Sequence, residues 1–297
     1  MRAWIACALA LGACASALAQ GWHATRVVSY AAGSGASAGH RSPAAALGEP
    51  ARMTGTVGAP ETVTPFQPPW QPSQVVSIGV GGSLVLELGS PATDDPGHRF
   101  GIDLIVFGNA FFSDASYPLG MPGFCAAEGG LVDLSEDGVN WANVPGAAAE
   151  GALPTLAWLD AGPYDTAAGS VPTDFLRAVD PALNEASVSG MDYADLVAAY
   201  DGGAGGVGID LATTGLSTAR FIRFRQPSGS IGSPEIDAVS VIPPTPSPFD
   251  LDGSGRVDFG DLAVLMLSMG DAGGPCDLDG SGLVDFGDAA LLLMEVG

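Results

Sequence analysis

Short runs of β-branched and aromatic residues, each bounded by glycine, proline or aspartate, recur between residues 21 and 242. In residues 83–88 the apolar positions alternate, so that Leu84, Leu86 and Leu88 share one face. Successive side chains of a strand point to opposite sides, and this spacing is typical of half-buried antiparallel strands. Further strands are predicted at residues 26–30, 102–107, 221–224 and 236–242. We predict a mainly β domain over residues 20–242, built as a jelly-roll-like β-sandwich.

The strand pattern is interrupted between residues 172 and 200. Residues 174–176 and 191–200 carry apolar positions at helical spacing, and two glycines at 202–203 follow as a stop signal. This pattern predicts a helical insertion between strands. Residues 243–248 read Pro-Pro-Thr-Pro-Ser-Pro, which predicts an extended linker and a domain boundary.

A repeat follows the linker. The twelve residues that begin at Asp250 recur from Asp277, 27 residues later, and only one position differs, Arg256 in the first copy against Leu283 in the second. Calcium takes six to eight oxygen ligands, which a 12-residue loop supplies from positions 1, 3, 5, 7, 9 and 12. These positions are Asp250, Asp252, Ser254, the carbonyl of Arg256, Asp258 and Asp261 in the first copy, and Asp277, Asp279, Ser281, the carbonyl of Leu283, Asp285 and Asp288 in the second. We predict two calcium ions, one in each loop.

Further features of each copy fit a calcium loop followed by a helix. Gly255 and Gly282 occupy position 6, where the chain turns sharply. At position 8, Val257 and Val284 are expected to pair the two loops through a short β bridge. Asp258 and Asp285 are expected to cap the helices that begin as the loops end. Apolar residues then follow at helical spacing, and they are Phe259, Leu262, Leu265, Met266 and Met269 in the first copy and Phe286, Ala289, Leu292, Leu293 and Val296 in the second.

The duplicated loop-then-helix unit over residues 249–297 resembles the type I dockerin family, whose loops are of the EF-hand type. The resemblance implies a small all-α domain that folds when calcium binds and that docks to a cohesin or another extracellular protein. Family members are commonly joined to polysaccharide-degrading enzymes or to carbohydrate-binding modules. The sequence departs from the family at loop positions 10 and 11, where the family often has a hydroxyl pair and this chain has Phe-Gly in both copies.

The N-terminus has the composition of an export signal. Arg2 is followed by an apolar run, and Ala17 and Ala19 then form a small-residue cleavage site, which predicts a signal peptide over residues 1–19. Cleavage before Cys14 is an alternative that would leave a lipid-anchored protein. We therefore predict a secreted or cell-surface protein. No later apolar stretch is long enough for a transmembrane helix.

Acidic residues dominate the charge, with 33 Asp and Glu against 10 Arg and no Lys, for a formal net charge of −23. Such a surface repels nucleic acids and anionic membranes and attracts cations. Of the four cysteines, only Cys125 and Cys276 lie beyond the signal region. In an oxidising compartment these two either pair or remain separate thiols.

The large domain carries weaker signals. Residues 135–141, Ser-Glu-Asp-Gly-Val-Asn-Trp, predict a hairpin turn and resemble turns of discoidin-like, galactose-binding jelly rolls. Residues 76–84, 103–109 and 235–239 are similar to bacterial cell-surface β-sandwich proteins. We expect Trp141 to pack beneath its hairpin. Trp70, in a proline-rich loop, is the better candidate for an exposed aromatic that stacks on a glycan, although packing within the loop is the favoured alternative.

Catalytic patterns are sparse. Among the carboxylates, Glu87, Glu128, Glu136 and Glu235 are available, and the sequence selects no pair. Asp103, Asn109 and Glu128 are a candidate set for a further structural calcium. We therefore predict a non-catalytic recognition or adhesion protein with a dockerin-like tail for protein assembly. The alternatives are a polysaccharide-acting enzyme that hydrolyses O-glycosyl bonds, or a carbohydrate-binding component of polysaccharide catabolism, and a structural surface-layer protein.

Overall fold

The computed structural model describes residues 21–56, 59–151, 153–253 and 257–296. The chain divides into two compact units, Met1–Ile242 and Pro243–Gly297. The predicted signal peptide, together with Ser254, Gly255 and Arg256 of the first loop, lies outside the described residues. Within those residues, no helix is both long enough and apolar enough to cross a membrane.

The first unit consists mainly of short strands, as the alternating pattern predicts. These are β1 Ala24–Ala31, β2 Met53–Thr56, β3 Ala59–Thr62, β4 Val76–Ser77, β5 Ser83–Thr93, β6 Leu104–Gly108, β7 Phe111–Asp114, β8 Pro122–Ala126, β9 Gly129–Ser135, β10 Ala142–Glu150, β11 Val207–Ile209, β12 Thr218–Arg225 and β13 Glu235–Val241. All five strands predicted from the sequence are present, with ends shifted by a few residues. Helices α1 Glu185–Val188 and α2 Tyr193–Ala199 lie between β10 and β11.

The strands form two larger antiparallel sheets and two hairpins. The five-stranded sheet has the order β1-β5-β12-β9-β10, and the four-stranded sheet has the order β11-β6-β13-β4. The hairpins are β2–β3 and β7–β8. Every pair of named strands is antiparallel. The prediction of a mainly β chain with antiparallel sheets is therefore confirmed.

One hydrophobic cluster takes side chains from both larger sheets. The five-stranded sheet contributes Leu84, Leu86 and Leu88 of β5, which are all buried, as their alternation predicts. The four-stranded sheet contributes Leu104 and Val106 of β6, together with residues of β13. Burial of each large aliphatic side chain stabilises the fold by about 1.5–3 kcal/mol. This cluster is the main core of the unit.

The helical insertion is confirmed over its second part. Asp192 caps α2 by accepting the backbone N–H of Asp195, and Leu196 and Tyr200 pack against Phe112 of β7. The helical prediction for residues 174–176 is wrong. Asp174 forms an isolated bridge with Gly203, and its side chain accepts the backbone N–H of Leu176 at 2.8 Å. Such a local side-chain bond offers the backbone an alternative to a helix.

In the second unit the described residues form two helices, α3 Phe259–Leu267 and α4 Phe286–Glu295. Their shared core is small, and its buried members are Leu265, Cys276, Val284, Ala289 and Leu292. Cys276 belongs to this core and Cys125 lies in β8, and neither forms a disulfide.

Candidate calcium site

Each copy of the repeat brings three aspartates together. Asp250, Asp252 and Asp261 each offer a carboxylate oxygen within 4.8 Å of the other two, and Asp277, Asp279 and Asp288 do the same. These are loop positions 1, 3 and 12 in both copies. Residues from the start of the loop and from the first turn of the helix thus converge on one point.

The position-12 aspartates join the two ends of each loop. Asp261 accepts the backbone N–H groups of Leu251 at 2.7 Å and Asp252 at 3.0 Å on one oxygen, and that of Asp258 at 2.7 Å on the other. Burial raises the pKa of the Asp261 carboxyl, but these N–H donors outweigh burial and lower the pKa overall. The backbone N–H groups of Asp285 and Asp279 likewise lower the pKa of Asp288. Both carboxylates therefore stay ionised at neutral pH.

The position-9 aspartates face the helices. Asp258 caps α3 and accepts the backbone N–H of Gly260 at 2.6 Å, and Asp285 caps α4 and accepts that of Gly287 at 2.6 Å. The predicted caps are therefore confirmed. Because these side chains are engaged at the helix, they lie outside the three-carboxylate groups, and a contact from position 9 to an ion would run through water.

In the second loop a carboxylate oxygen lacks a partner. Asp277 accepts the backbone N–H of Gly282 at 3.0 Å on Oδ2, whereas its Oδ1 is buried and has no hydrogen-bond partner among the described residues. Gly282 has a φ of +89°, which confirms the sharp turn predicted at position 6 of this loop. A buried carboxylate oxygen without a donor is costly unless a cation binds it.

Positions 5 and 7 are described only in the second loop. The hydroxyl of Ser281 donates to the carbonyl oxygen of Leu283 at 3.1 Å, so both predicted ligands lie side by side but bond to each other. Their counterparts Ser254 and Arg256 lie outside the described residues. In the second loop the structure thus groups positions 1, 3 and 12 and places positions 5, 7 and 9 in local hydrogen bonds.

The glycines at position 11 are part of the same geometry, and the sequence did not identify them. A Cβ at Gly287 would lie 2.9 Å from Asp279 Oδ2 and 3.0 Å from Asp285 Oδ1, and one at Gly260 would lie 2.5 Å from Asp252 Oδ2. Each position-3 carboxylate therefore lies directly over a glycine in the first turn of the helix. The recurrence of glycine at this place in both copies was the signal available in the sequence.

The predicted bridge between Val257 and Val284 is wrong. The N–H of Val284 donates to the carbonyl of Asp271 at 2.9 Å, and its carbonyl accepts the N–H of Gly270 at 2.9 Å. Both backbone groups of Val284 are therefore used by the segment that follows α3. This segment returns past the second loop because Gly270 has a φ of +92° and ends the helical stretch with a turn.

The donor set fits calcium better than a transition metal. The grouped atoms are all carboxylate oxygens, which hard cations such as calcium prefer, and no histidine or cysteine belongs to either group. The unpartnered Oδ1 of Asp277 and the glycine turns place ligand atoms where a cation would satisfy them. Bound calcium would supply positive charge to carboxylates that otherwise repel one another.

The candidate set Asp103, Asn109 and Glu128 does not come together in the first unit. Asp103 groups with Asp94 and Asp210, whereas Glu128 groups with Glu150 and Glu235. Asp103 precedes β6, while a Cβ at Gly108, at the far end of that strand, would lie 2.7 Å from the carbonyl oxygen of Glu235 and 3.2 Å from Glu150 Cγ. Five strand residues span about 15 Å, which separates the two groups.

The two tryptophans singled out from the sequence differ in environment. Trp70 is exposed in its loop, and its carbonyl oxygen accepts a hydrogen bond from His40 Nε2 at 2.7 Å. Trp141 is half-buried and belongs to none of the hydrophobic clusters, so its expected place in the core is wrong. The guanidinium of Arg223 lies 4.3 Å from the centre of its ring, a cation–π contact on the sheet surface.

A scan of the chain against protein-family models gave no match, and a sequence search of curated proteins gave none either. The resemblance of residues 249–297 to dockerins therefore stays a prediction that depends on the repeat and its geometry.

Proposed function

We propose that residues 249–297 form a dockerin-like module that binds two calcium ions and attaches a non-catalytic, extracellular recognition protein to a partner. The observation that carries this proposal is the duplicated group of three carboxylates, Asp250 with Asp252 and Asp261, and Asp277 with Asp279 and Asp288. A chance acidic tail would not repeat the same convergence 27 residues later.

Calcium binding would stabilise the fold of this module. The buried core holds only a few side chains, which is too little to hold about fifty residues firmly by itself. Each loop also gathers like charges that repel one another without a cation. Binding energy from calcium would therefore appear as folding energy, as in other small metal-dependent domains.

The helices present an apolar surface for a partner. Phe259 is 71% exposed and Phe286 is 75% exposed, at equivalent places in the first turns of α3 and α4. Met266, Leu267, Leu293 and Met294 are exposed as well. Exposed apolar side chains are typical of interaction sites where they form a contiguous patch. We propose that an extracellular protein, cohesin-like or otherwise, covers this surface, with the phenylalanines in place of the hydroxyl pair of the family.

For residues 20–242 we propose a jelly-roll-like β-sandwich that serves in recognition. Two antiparallel sheets that share one hydrophobic cluster support this architecture. The exposed Trp70 supports a glycan as ligand. Glu128 and Glu235, the two carboxylates from the sequence that come together, share one cluster with the buried Glu150.

We propose that the protein acts outside the cell, where calcium is abundant. Circular dichroism of residues 249–297 tests it. The helical signal should rise when calcium is added and fall again with a chelator. A signal that does not respond to either addition would overturn the proposal. A glycan-binding screen on residues 20–242, run beside a polysaccharide hydrolysis assay, separates recognition from catalysis.

A further inference from the structure

Three glutamates meet in the first unit. Glu128 lies in the turn between β8 and β9, Glu150 ends β10 and Glu235 begins β13. Each offers a carboxylate oxygen within 4.8 Å of the other two. Glu150 is only 3% exposed. Since β10 belongs to the five-stranded sheet and β13 to the four-stranded sheet, the cluster joins the two sheets.

A hydrogen bond joins the cluster across the two sheets. Glu150 Oε2, at the end of β10, accepts the backbone N–H of Glu235, at the start of β13, at 3.2 Å. Ser37 donates its hydroxyl to Glu235 Oε1 at 3.2 Å. The carboxylate oxygens of Glu128 and Glu235 lie within 4.8 Å of each other, and two ionised carboxylates at this distance repel each other.

The surroundings of the glutamate cluster favour protonated carboxyl groups over ionised ones. No salt bridge of the described residues ends on any of the three glutamates. Burial raises the pKa of Glu150 to about 8, and the charges of Glu128 and Glu235 add to this effect. Glu128 itself is exposed, but partial burial of its carboxyl, with Glu235 beside it, raises the pKa of Glu128 to about 7. The cluster therefore retains protons near neutral pH.

Among the described residues, no arginine or histidine is a cause of the raised pKa of Glu128 or Glu150. Cys125 of β8 is buried, and burial, with Glu185 and Glu150 nearby, raises the pKa of its thiol to about 11. Asp237 lies two residues beyond Glu235 on β13 and accepts the backbone N–H of Ala51 at 2.9 Å. The neighbouring strands β6 and β11 carry no ionisable side chain.

We propose that Glu128, Glu150 and Glu235 form a proton-dependent clasp between the two sheets, which is closed while the cluster retains protons and opens as Glu128 and Glu150 ionise. The folded state binds more protons than the unfolded chain, in which a glutamate has a pKa of 4.5. The stabilisation is therefore complete below about pH 4.5 and declines as the pH rises to about 8. Opening would loosen the ends of β10 and β13 at alkaline pH.

Hydrogen exchange on the full chain tests the clasp at the amide of Glu235, with a chelator present throughout. After correction for the intrinsic exchange rate, protection of this amide should fall at least about tenfold between pH 6 and pH 9, since each unit of pKa difference corresponds to tenfold. Glu150→Gln, which resembles the protonated acid, should reduce this fall, and combined with Asp237→Asn it should abolish the fall, because Asp237, on the same strand as Glu235, also has a raised pKa. The exposed Glu136→Gln should leave it unchanged. Glu128→Gln provides a second test, and protection of the Glu235 amide should fall less in this variant than in the natural protein.

Two results would overturn the clasp. One is protection of the Glu235 amide that is the same at pH 6 and pH 9, or an equal fall in the Glu150→Gln variant. The other is a full recovery of protection at pH 9 when calcium replaces the chelator, with no recovery in Glu150→Gln. That result would make the cluster a cation site instead of a proton-dependent contact.

Discussion

The carboxylate of Asp288 accepts the backbone N–H of Asp279 at 3.0 Å, and Asp261 accepts that of Asp252 at the same distance. In each loop the carboxylate at position 12 therefore fixes the backbone of the residue at position 3. This contact makes the position of one carboxylate depend on the other. A change that displaces the position-3 side chain should consequently weaken the whole site.

Gly287→Ala is such a change. The new Cβ would lie 2.9 Å from Asp279 Oδ2 and would push this carboxylate away from the other two. Alanine favours a helix by about 1 kcal/mol over glycine, so helix propensity alone predicts a gain in stability. We expect instead a loss of roughly tenfold in calcium affinity at the second loop, measured by calorimetry. Ala290→Gly, at an exposed position of the same helix, is the control and should weaken the helix without a direct effect on the carboxylates.

The exposed phenylalanines should matter for assembly and little for folding. The double change Phe259→Ala with Phe286→Ala removes side chains that are mostly in water. The free energy of calcium-induced folding should therefore remain within about 1 kcal/mol of that of the natural module. Leu265→Ala with Leu292→Ala removes buried side chains and should cost about 2–5 kcal/mol for each. Circular dichroism under calcium titration compares the two variants. Loss of calcium-induced folding in the phenylalanine variant would show that these rings belong to the core.

The repeat and the strand pattern could be predicted from the sequence because both depend on local spacing. The alternation of Leu84 with Leu86 placed them in the core, and the position of Asp258 placed it at a helix start. The sequence did not reveal that Glu150 joins Glu235, because that contact spans 85 residues and depends on how the two sheets pair. A single carboxylate after a run of small apolar residues was the only local sign of Glu150.

Val284 was misassigned for a similar reason. Its equivalence to Val257 in the repeat favoured a contact between the loops, but the backbone of Val284 bonds to Gly270 and Asp271 instead. The path of the chain after α3 decides this partner, and no periodic pattern marks that path.

The first unit should fold without the tail. The division of the chain at Ile242 and the shared core of the two sheets imply that residues 20–242 keep their strands when the linker is cut within residues 243–248. Their melting temperature should hardly respond to a chelator, as followed by far-ultraviolet circular dichroism. A drop of many degrees on chelation would reveal a calcium site within the first unit.

Asp237 should make the first unit less stable at alkaline pH. Burial raises the pKa of this carboxyl to about 8, above the ordinary aspartate value of 3.8, so its stabilising effect is complete below about pH 3.8 and declines as the pH rises to about 8. Asp237→Asn cannot ionise, and its oxygen can still accept the N–H of Ala51. Relative to that of the natural protein, the free energy of unfolding of the variant should rise by at least roughly 1 kcal/mol between pH 4 and pH 9. Thermal melts at both pH values measure this gain, and an equal difference at both would count against it.

Calorimetric titration of the full chain with calcium tests the central claim most directly. We predict two ions per chain, with dissociation constants in about the micromolar to sub-millimolar range. Asp277→Asn, which neutralises the carboxylate with the buried, unpartnered oxygen, should lower the affinity of one site at least tenfold, about 1.4 kcal/mol, and leave the other. Asp271→Asn, an exposed change outside the loops, should leave both sites intact. The absence of calcium binding, or two unaltered sites in Asp277→Asn, would contradict the proposed calcium module.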